Sequence, residues 1–296
     1  MNQLLRQGLV AAKGPLAGGG IKDVSCVAGG CIHQAWQLQL DDGRSLFAKT
    51  GGLDVLAMLS VEAEGLRSLK AWADPEFLEV PEPLAVEQVC GESILLLPWL
   101  ELRGGKEDGL GRGLALLHQA SAAAHPGRFG WQTDGFIGAG AQPGGWREGW
   151  GDCFVSLRLI PQLKQAKHWG LDLEDWKPIL SRLISWLDRH QPIPSMVHGD
   201  LWSGNASVLR DGRGVLLDPA IWWADREVDL AMTRLFGGFS KDFYAAYNEV
   251  WPLPVDSIER IEIYNLYHLL NHANLFGGSY KKQSEASLRR LTSLIG

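Results

Sequence analysis

The sequence lacks a long apolar run, a basic tract and a Cys-x-x-Cys pair. A transmembrane helix needs about 20 predominantly apolar residues, and the N-terminus does not follow the basic, apolar and small-residue order of a signal peptide. We therefore expect a cytoplasmic protein. A formal net charge of −6 disfavours nucleic acid and anionic membrane surfaces as partners. The four cysteines have neither Cys-x-x-Cys nor zinc-site spacing, which predicts free thiols in a reducing compartment.

Internal repeats, low-complexity segments and the Gly-x-Ser-x-Gly motif of many hydrolases are also absent from the sequence. Its 296 residues exceed one typical domain but suit a single enzyme of two lobes that share a cleft. Hydrophobic residues make up 46% and charged residues 21%, which is the composition of an ordinary globular protein.

The segment 206–217 has the pattern of a β-hairpin. Two short apolar runs flank a polar, glycine-containing turn at 211–214, which is typical of antiparallel strands. Asn205 precedes the first strand and Asp218 follows the second, so strand pairing would bring them together. An amide oxygen and a carboxylate at one site suit Mg²⁺ carrying nucleotide phosphates better than a soft metal.

Asp200 lies on the loop before this hairpin, five residues ahead of Asn205. Protein kinases have the same order: a loop aspartate that accepts the proton of the acceptor hydroxyl, then an asparagine and a later aspartate that hold Mg²⁺. An aspartate before proline is by itself more typical of a turn. The three residues in this order nevertheless predict ATP-dependent phosphoryl transfer, with Asp200 as the catalytic base and Asn205 and Asp218 as metal ligands.

Four runs around these residues resemble the fructosamine kinase (ketosamine-3-kinase) family. They are HGDLWSGN at 198–205, LLDPA at 216–220, DREVDLAM at 225–232 and FGGF at 236–239. The similarity extends over most of the chain; HGDLWSGN is specific, whereas the N-terminal part of the match is weaker. The resemblance implies an α+β, bilobal protein-kinase-like fold, shared with aminoglycoside and choline phosphotransferases.

This fold implies a small N-terminal nucleotide-binding lobe, with an antiparallel sheet plus a helix, and a larger, mainly helical C-terminal lobe for catalysis and substrate binding. We predict the two lobes at residues 1–97 and 103–296, joined by a hinge at 98–102. A segment at 129–150, rich in glycine, tryptophan and proline with little periodicity, predicts an ordered loop near the cleft.

The hinge of such a fold binds adenine through one backbone carbonyl and, two residues on, one N–H. Pro98 has a carbonyl but no donor, and Leu100 has both. Pro98, Trp99 and Leu100 are therefore candidate ATP-binding residues.

The N-terminal sequence predicts a strand, a glycine loop, a strand, a turn and a third strand. Gly29 and Gly30 allow close approach of the backbone to phosphate oxygens, so Gly29, Gly30 and Cys31 are candidates to cover the phosphates of ATP. A glycine pair between strands is also typical of a simple tight turn. Lys49, at the end of the third strand, is where a kinase keeps the lysine that pairs with the α- and β-phosphates.

Apolar residues recur at helical spacing over 55–69, which predicts a helix after this sheet. Glu62 corresponds to the glutamate that holds the lysine in the family, and Glu64 is its competitor. Two residues along a helix differ in direction by about 200°, so only one of them can face Lys49. In kinase-like folds an aspartate at the place of Asp229 grips backbone N–H groups of the catalytic loop, so we expect Asp229 to be a buried scaffold residue.

The resemblance implies ATP-dependent phosphorylation of a sugar hydroxyl in low-molecular-weight or protein-linked ketosamines, a deglycation repair role. Trp202, beside the proposed base, is a candidate for packing on the sugar. His268 and Asn271 recur along one predicted helix and are candidates for a polar face toward the substrate. Interhelical hydrogen bonds explain them equally well.

Two other functions stay open. A kinase of the same fold could act on an aminoglycoside or choline-type acceptor, which would usually require an acidic acceptor pocket. A nucleotide-binding pseudokinase is the second, but it would be expected to have lost Asp200, Asn205, Asp218 or Lys49. We also predict that Cys31, in a loop that must open to water, is open to oxidation and could link two copies into a homodimer; a small apolar residue packed under the loop is the alternative.

Overall fold

The computed structural model describes residues 1–27 and 33–295 and confirms the α+β class. The first part of the chain contains, in order, α1 (Gln3–Val10), β1 (Ile21–Val27), β2 (Gln34–Leu40), β3 (Ser45–Gly51), a 3-10 turn (Leu53–Val55), α2 (Leu56–Lys70), β4 (Leu78–Glu79), β5 (Ala85–Val89) and β6 (Glu92–Pro98). None of the helices in the described ranges has the length and apolar character needed to cross a membrane.

An antiparallel sheet of five strands, in the order β1-β2-β3-β6-β5, forms the centre of this part. The side chains of β6 alternate between two helices: Ile94 and Leu96 pack in one cluster with α1, and Leu95 and Leu97 in another with α2. Because both faces of β6 are covered, its sequence is a continuous apolar run rather than an alternating one. The sheet thus holds Lys49 of β3 opposite α2.

The rest of the chain is mainly helical, with short strands between the helices. Its elements are β7 (Leu102–Arg103), α3 (Asp108–Ala123), β8 (Phe129–Trp131), β9 (Gly135–Ile137), β10 (Gly140–Gln142), β11 (Gly145–Arg147), α4 (Trp150–Phe154), a π-helical turn (Val155–Leu159), α5 (Ile160–Ala166), a 3-10 turn (Lys167–Trp169), α6 (Leu173–Asp188), β12 (Ser195–Val197), β13 (Ala206–Leu209), β14 (Gly214–Leu216), β15 (Trp222–Ala224), α7 (Glu227–Leu235), α8 (Lys241–Val250), α9 (Ser257–Phe276) and α10 (Ser279–Ile295).

The prediction of a loop at 129–150 is wrong, because this segment contains β8, β9, β10 and β11. Strands β9 and β10 form a hairpin, and β8 and β11 belong to a sheet of order β11-β8-β15-β12. Each strand has only three residues, too few to show an alternating pattern in the sequence. Glycine is required inside β8, because a Cβ at Gly130 would lie 2.0 Å from the carbonyl oxygen of Gly145.

A further sheet, of order β4-β14-β13-β7, attaches the predicted hairpin to two distant segments. Strand β4 pairs parallel with β14, and β7 pairs antiparallel with β13. Strand β4 lies before residue 97 in the chain but pairs with a strand of the larger part. The division into lobes at 1–97, 98–102 and 103–296 stays a prediction.

Candidate active site

Lys49 of β3 and Glu62 of α2 form an ion pair. The Nζ atom of Lys49 lies 2.9 and 3.0 Å from the two carboxylate oxygens of Glu62, and the side chains are only 12% and 11% exposed. Glu64 points elsewhere, since its Oε1 accepts a hydrogen bond from Gln132 at 3.3 Å. The helix therefore presents Glu62, and not Glu64, to Lys49. The Lys49 ammonium also contacts the Asp218 carboxylate.

The predicted hairpin at 206–217 is confirmed. Strands β13 and β14 pair antiparallel, with Ala206 opposite Leu216. The pairing ends with the N–H of Leu217 donating to the carbonyl of Asn205 at 2.9 Å. Asn205 and Asp218 therefore meet at one end of the hairpin, where Asn205 Nδ2 lies 3.4 Å from the carbonyl oxygen of Asp218.

Asn205 is also bonded to Asp200. Its Nδ2 donates to the Asp200 carbonyl at 2.9 Å and to the Asp200 Oδ2 at 3.2 Å. Because the amide nitrogen is held in this way, the amide oxygen of Asn205 points to the other side, and it accepts no hydrogen bond from the residues that the structure describes. Asn205 is thus oriented with a free oxygen ligand.

Asp200 is partly exposed as a residue, but the protein packed around its carboxyl group excludes most of the water. This burial raises the pKa of Asp200 to about 7; the hydrogen bond from Asn205 opposes the increase, and the negative charge of Asp229 adds to it. A carboxylate with such a pKa can exchange a proton near neutral pH.

Asp218 has a left-handed backbone conformation, with φ of 51°. Aspartate tolerates this region better than most residues. Its carboxylate is 45% exposed, and together with the Asn205 amide oxygen it makes a set of hard oxygen ligands. This set fits Mg²⁺, which prefers carboxylates and other oxygen ligands and keeps several waters.

Asp229 supports the loop that carries Asp200, as expected. It is fully buried, and it accepts the N–H of His198 at 2.7 Å and the N–H of Gly199 at 2.8 Å. His118 Nε2 lies 3.1 Å from the same carboxylate. Burial alone would raise the pKa of Asp229, but the hydrogen bond from His118, the favourable electrostatic contacts with His118 and His198, and the N–H of Gly199 hold it below its ordinary value.

His198 is a supporting residue that the sequence analysis missed. Its Nε2 donates to the carbonyl of Leu217 at 2.7 Å, and its Nδ1 lies 3.3 Å from the Asp200 N–H. Burial lowers the pKa of His198, so the ring is neutral at pH 7 and can donate at one nitrogen while accepting at the other. The available signal was its place immediately before Gly199 and Asp200.

Gly199 lets two segments touch at this point. Its φ is 81°, and a Cβ there would lie 2.0 Å from the Ala220 carbonyl oxygen. Only glycine accommodates both the conformation and the contact. The segment with Asp200 and the segment with Asp218 are consequently packed backbone to backbone.

A cavity of about 280 Å³ opens beside these residues, close to the lower end of the usual range for small-molecule sites. It is lined by Val27, Phe47, Lys49, Glu62, Pro81, Leu97, Pro98, Trp99, Leu100, Glu101, Leu102, Leu217 and Asp218. Residues 98–102 therefore line one part of the cavity, and the charged residues Lys49, Glu62 and Asp218 line another. In the predicted hinge the Trp99 N–H donates a hydrogen bond to the carbonyl of Ser45 at 3.1 Å. The Leu100 N–H has no hydrogen-bond partner within residues 1–27 and 33–295.

Four further predicted site residues are Gly29, Gly30, Cys31 and Trp202. Gly29, Gly30 and Cys31 lie outside the described residues, so their roles stay predictions. Trp202 is 38% exposed, and its ring covers Gly204, where a Cβ would lie 2.3 Å from ring atom Cη2. The structure thus leaves part of the Trp202 ring open to solvent.

His268 and Asn271 do not line the cavity of about 280 Å³. Asn271 donates to the carbonyl of Ile137 and accepts from Gln162, both at 3.3 Å. Its amide therefore makes hydrogen bonds within the protein, which was the alternative to a role in substrate binding. His268 is fully buried, and neither of its ring nitrogens has a partner in the described part of the chain. Burial lowers its pKa to about 3, so the ring is neutral.

A model of the fructosamine kinase family matches residues 10–293. The chain belongs to this family. A relative from Synechocystis sp., named probable ketoamine kinase, is 41% identical over 273 residues, which cover 91% of this chain and 90% of that protein. Members of the fructosamine kinase family are kinases, so the chain is a phosphotransferase.

Solved structures agree with this membership of the fructosamine kinase family. A candidate fructosamine-3-kinase from Haemophilus somnus superposes with a TM-score of 0.84 at 29% identity and covers 96% of both chains. A mutant aminoglycoside phosphotransferase in complex with ADP and hygromycin B has a TM-score of 0.58 at 14% identity, covering 93% of this chain and 94% of that one. The second likeness shows the fold alone, and both confirm the protein-kinase-like fold.

Proposed function

We propose that this chain transfers the γ-phosphoryl group of ATP to a sugar hydroxyl of a free or protein-linked ketosamine, as a cytoplasmic enzyme of deglycation repair. One observation carries the proposal. The same cavity is lined by residues 98–102 and by Lys49, Glu62 and Asp218, and Asp218 adjoins Asn205, which contacts Asp200. Phosphoryl transfer depends mainly on positioning and on charge neutralisation, which such a set of residues can supply.

In this proposal the adenine lies against the hinge, where the Pro98 carbonyl accepts a hydrogen bond and the Leu100 N–H donates one. The Lys49 ammonium, held by Glu62, orients the α- and β-phosphates. Gly29, Gly30 and Cys31 would cover the phosphates. The apolar walls at Val27, Phe47 and Leu97 support this arrangement because they suit the two faces of a purine ring.

Asn205 and Asp218 would hold Mg²⁺ through the amide oxygen and the carboxylate. Bound Mg²⁺ would neutralise charge on the phosphate oxygens. The hydrogen bonds from Asn205 Nδ2 to Asp200 keep the amide oxygen turned outward, and the hairpin keeps Asn205 and Asp218 at a fixed separation.

Asp200 would accept the proton of the acceptor hydroxyl. Its pKa of about 7 lies close to neutral pH, where a general base combines sufficient ionisation with sufficient basicity. Asp229 keeps the loop in place through the N–H groups of His198 and Gly199, so Asp200 need not reorganise during the reaction.

The substrate class rests on the family and on relatives named probable ketoamine kinase. Trp202, partly exposed and two residues from Asp200, is the proposed packing surface for the sugar. His268 is a further candidate because neither nitrogen of its neutral ring has a hydrogen-bond partner among residues 1–27 and 33–295. Asn271 is a weaker one, since its amide is already bonded within the protein.

The test is a kinase assay with Mg²⁺ and ATP and the fructosamine, ribulosamine and erythrulosamine adducts of lysine as acceptors. ADP formation and product mass are measured, and Asp200→Asn protein is the control for contaminating kinases. We expect at least one adduct to gain a single phosphoryl group with wild-type protein only. Phosphorylation of aminoglycosides or choline instead of the adducts would contradict the substrate class, and no acceptor-dependent turnover in any reaction would contradict the function.

A further inference from the structure

The turn formed by Asp218 and Pro219 needs support from its surroundings. The positive φ of Asp218 is an uncommon conformation for a residue with a side chain and persists only where neighbouring contacts hold it. Pro219 has no N–H and restricts the conformation of the residue before it. The direction of the Asp218 carboxylate therefore depends on how the backbone is held on both sides of the turn.

Three of the supporting hydrogen bonds come from the catalytic segment itself. The N–H of Leu217 donates to the carbonyl of Asn205 at 2.9 Å, and the carbonyl of Leu217 accepts from His198 Nε2 at 2.7 Å. After the proline, the N–H of Ala220 donates to the carbonyl of His198 at 2.8 Å. These bonds hold the turn on the side that faces Asp200.

The fourth bond comes from a distant part of the chain. Gln142, at the end of β10, donates from Nε2 to the Ala220 carbonyl at 3.1 Å. Gln142 is only 4% exposed, and its Oε1 accepts a hydrogen bond from the hydroxyl of Tyr267 at 3.0 Å. Burial raises the pKa of Tyr267, so the hydroxyl keeps its proton and can donate. Tyr267 thereby determines which end of the amide faces Ala220.

The hairpin of β9 and β10 is itself held in place on two sides. A Cβ at Gly140 would lie 2.3 Å from Asn271 Oδ1 on α9, and one at Gly135 would lie 3.4 Å from Val61 on α2. The hairpin therefore touches three segments. These are α9, helix α2 with Glu62, and the turn that contains Asp218. Because the hairpin is packed tightly on these sides, the hydrogen bond from its Gln142 can hold the Ala220 backbone in one position.

We propose that Gln142, oriented by Tyr267, is a positioning residue that holds the turn of Asp218 for cation binding. The inference rests on the proposed function, because it takes Asp218 to be a metal ligand. Removal of the Gln142 amide leaves the Ala220 carbonyl without its bond and releases one side of the turn. Cation affinity then falls, while the hinge at 98–102 still binds the nucleotide base.

The experiment uses Mn²⁺ as the probe, titrated by electron paramagnetic resonance into the full-length protein in the presence of ADP. Gln142→Met keeps the length of the side chain and removes both hydrogen bonds, and Tyr267→Phe removes only the donor that orients Gln142. We expect Mn²⁺ affinity to fall about 5-fold in Gln142→Met and by less in Tyr267→Phe. In turnover, the Mg²⁺ concentration for half-maximal rate should rise by a similar factor, while kcat at saturating Mg²⁺ stays close to that of wild type.

Gln162→Met is the matched control. Gln162 is as buried as Gln142, and its amide is bonded to Asn271 and Asn274 rather than to the Asp218 turn. We expect this variant to lose comparable thermal stability without a change in Mn²⁺ affinity. An equal loss of Mn²⁺ affinity in Gln162→Met would show a general effect of destabilisation and would overturn the proposal.

The remaining outcomes separate the inference from the function on which it rests. Wild-type protein that binds no Mn²⁺ with ADP would contradict the proposed function. Normal Mn²⁺ binding by both wild type and Gln142→Met would contradict the role of Gln142 and leave the function standing. If Gln142→Met does not fold, the test rests on Tyr267→Phe. Unchanged Mn²⁺ affinity in Tyr267→Phe would refute the inference equally well.

Discussion

Asn205 Nδ2 donates a hydrogen bond to the carboxylate of Asp200 at 3.2 Å. The proposed metal ligand and the proposed catalytic base are therefore in direct contact. The bond has two effects: it turns the amide oxygen of Asn205 away from Asp200, and it stabilises the ionised form of Asp200 against the effect of burial. Metal binding and proton transfer are thus expected to respond together to changes at Asn205.

Asn205→Ala should weaken both processes. Loss of the amide oxygen raises the Mg²⁺ requirement, and excess Mg²⁺ should restore part of the rate because an amide is a more dispensable ligand than a carboxylate. Loss of the amide N–H should raise the pKa of Asp200 further, so the pH profile of kcat/KM should move to higher pH. The measurement is a Mg²⁺ titration at several pH values; an unchanged Mg²⁺ requirement would contradict the site.

Asp200→Asn should keep nucleotide binding and lower kcat by about 100-fold or more, the usual scale for the loss of a positioned base. For the wild type, kcat/KM should increase as pH rises through about 7, because the base acts in its deprotonated form and the pKa of Asp200 is raised to about 7. Calorimetric ADP binding and steady-state rates check the two parts. Near-normal turnover of the variant would remove Asp200 from the mechanism.

The same group should make folding stability depend on pH. The pKa of Asp200 is about 7 in the folded protein and near its ordinary value of 3.8 in the unfolded chain, so folding favours the protonated form. Its contribution is fully present below about pH 4 and is lost as pH rises to about 7, on the order of a few kcal/mol in total. Urea unfolding from pH 4 to 8 measures it. The wild type should lose stability relative to Asp200→Asn as pH rises, and parallel curves would show that the pKa is not raised.

Lys49→Met should raise the KM for ATP and lower kcat, because the lysine is expected to orient the phosphates. Glu62→Ala should resemble it, since Glu62 lies 2.9 Å from Lys49 Nζ. Glu64→Ala is the matched control. It removes a carboxylate from the same helix, but this carboxylate accepts a hydrogen bond from Gln132 and does not contact Lys49. Steady-state kinetics of the three variants test this, and a larger defect in Glu64→Ala than in Glu62→Ala would refute the assignment.

Asp229→Ala should destabilise the fold by about 3–5 kcal/mol, because it leaves His118 and two backbone N–H groups without their buried partner. Glu249→Ala, which removes an exposed ion pair with Arg112, should cost less than about 1 kcal/mol. The pKa of Asp229 is lowered in the folded state, so its contribution is present above about pH 4 and is lost as pH falls further. The stability difference between wild type and Asp229→Ala should therefore shrink in acid, as chemical unfolding at pH 3 and 7 would show.

Local patterns in the sequence correctly predicted part of the geometry of the proposed site. The hairpin that brings Asn205 and Asp218 together follows from two apolar runs and a four-residue turn, since strand pairing across a short turn depends on neighbouring residues alone. The same holds for α2, whose helical period separates Glu62 from Glu64 by about 200°. The family resemblance selected Glu62 from this pair, and the structure agrees.

Other features could not be predicted from local patterns. Strands β8 to β11 are three residues long, so pairing with distant strands rather than an alternating pattern makes them strands. The proposed role of Gln142 depends on Ala220 and Tyr267, which are 78 and 125 residues away in the chain. Contacts across such separations leave no periodic mark in the sequence.

The sequence by itself determined which chemical groups this protein has and in what order they occur: Asp200, Asn205 and Asp218 around one hairpin, and a lysine with two candidate glutamates in the N-terminal part. Only the tertiary structure decided which groups meet. It directs Glu62 toward Lys49, and it buries Asp200 so that the pKa of Asp200 rises to about 7. It also places His268 and Asn271 in the protein interior. The physical reason is that side-chain direction, burial and desolvation depend on segments packed together from far apart in the chain, whereas a sequence pattern reports only on near neighbours.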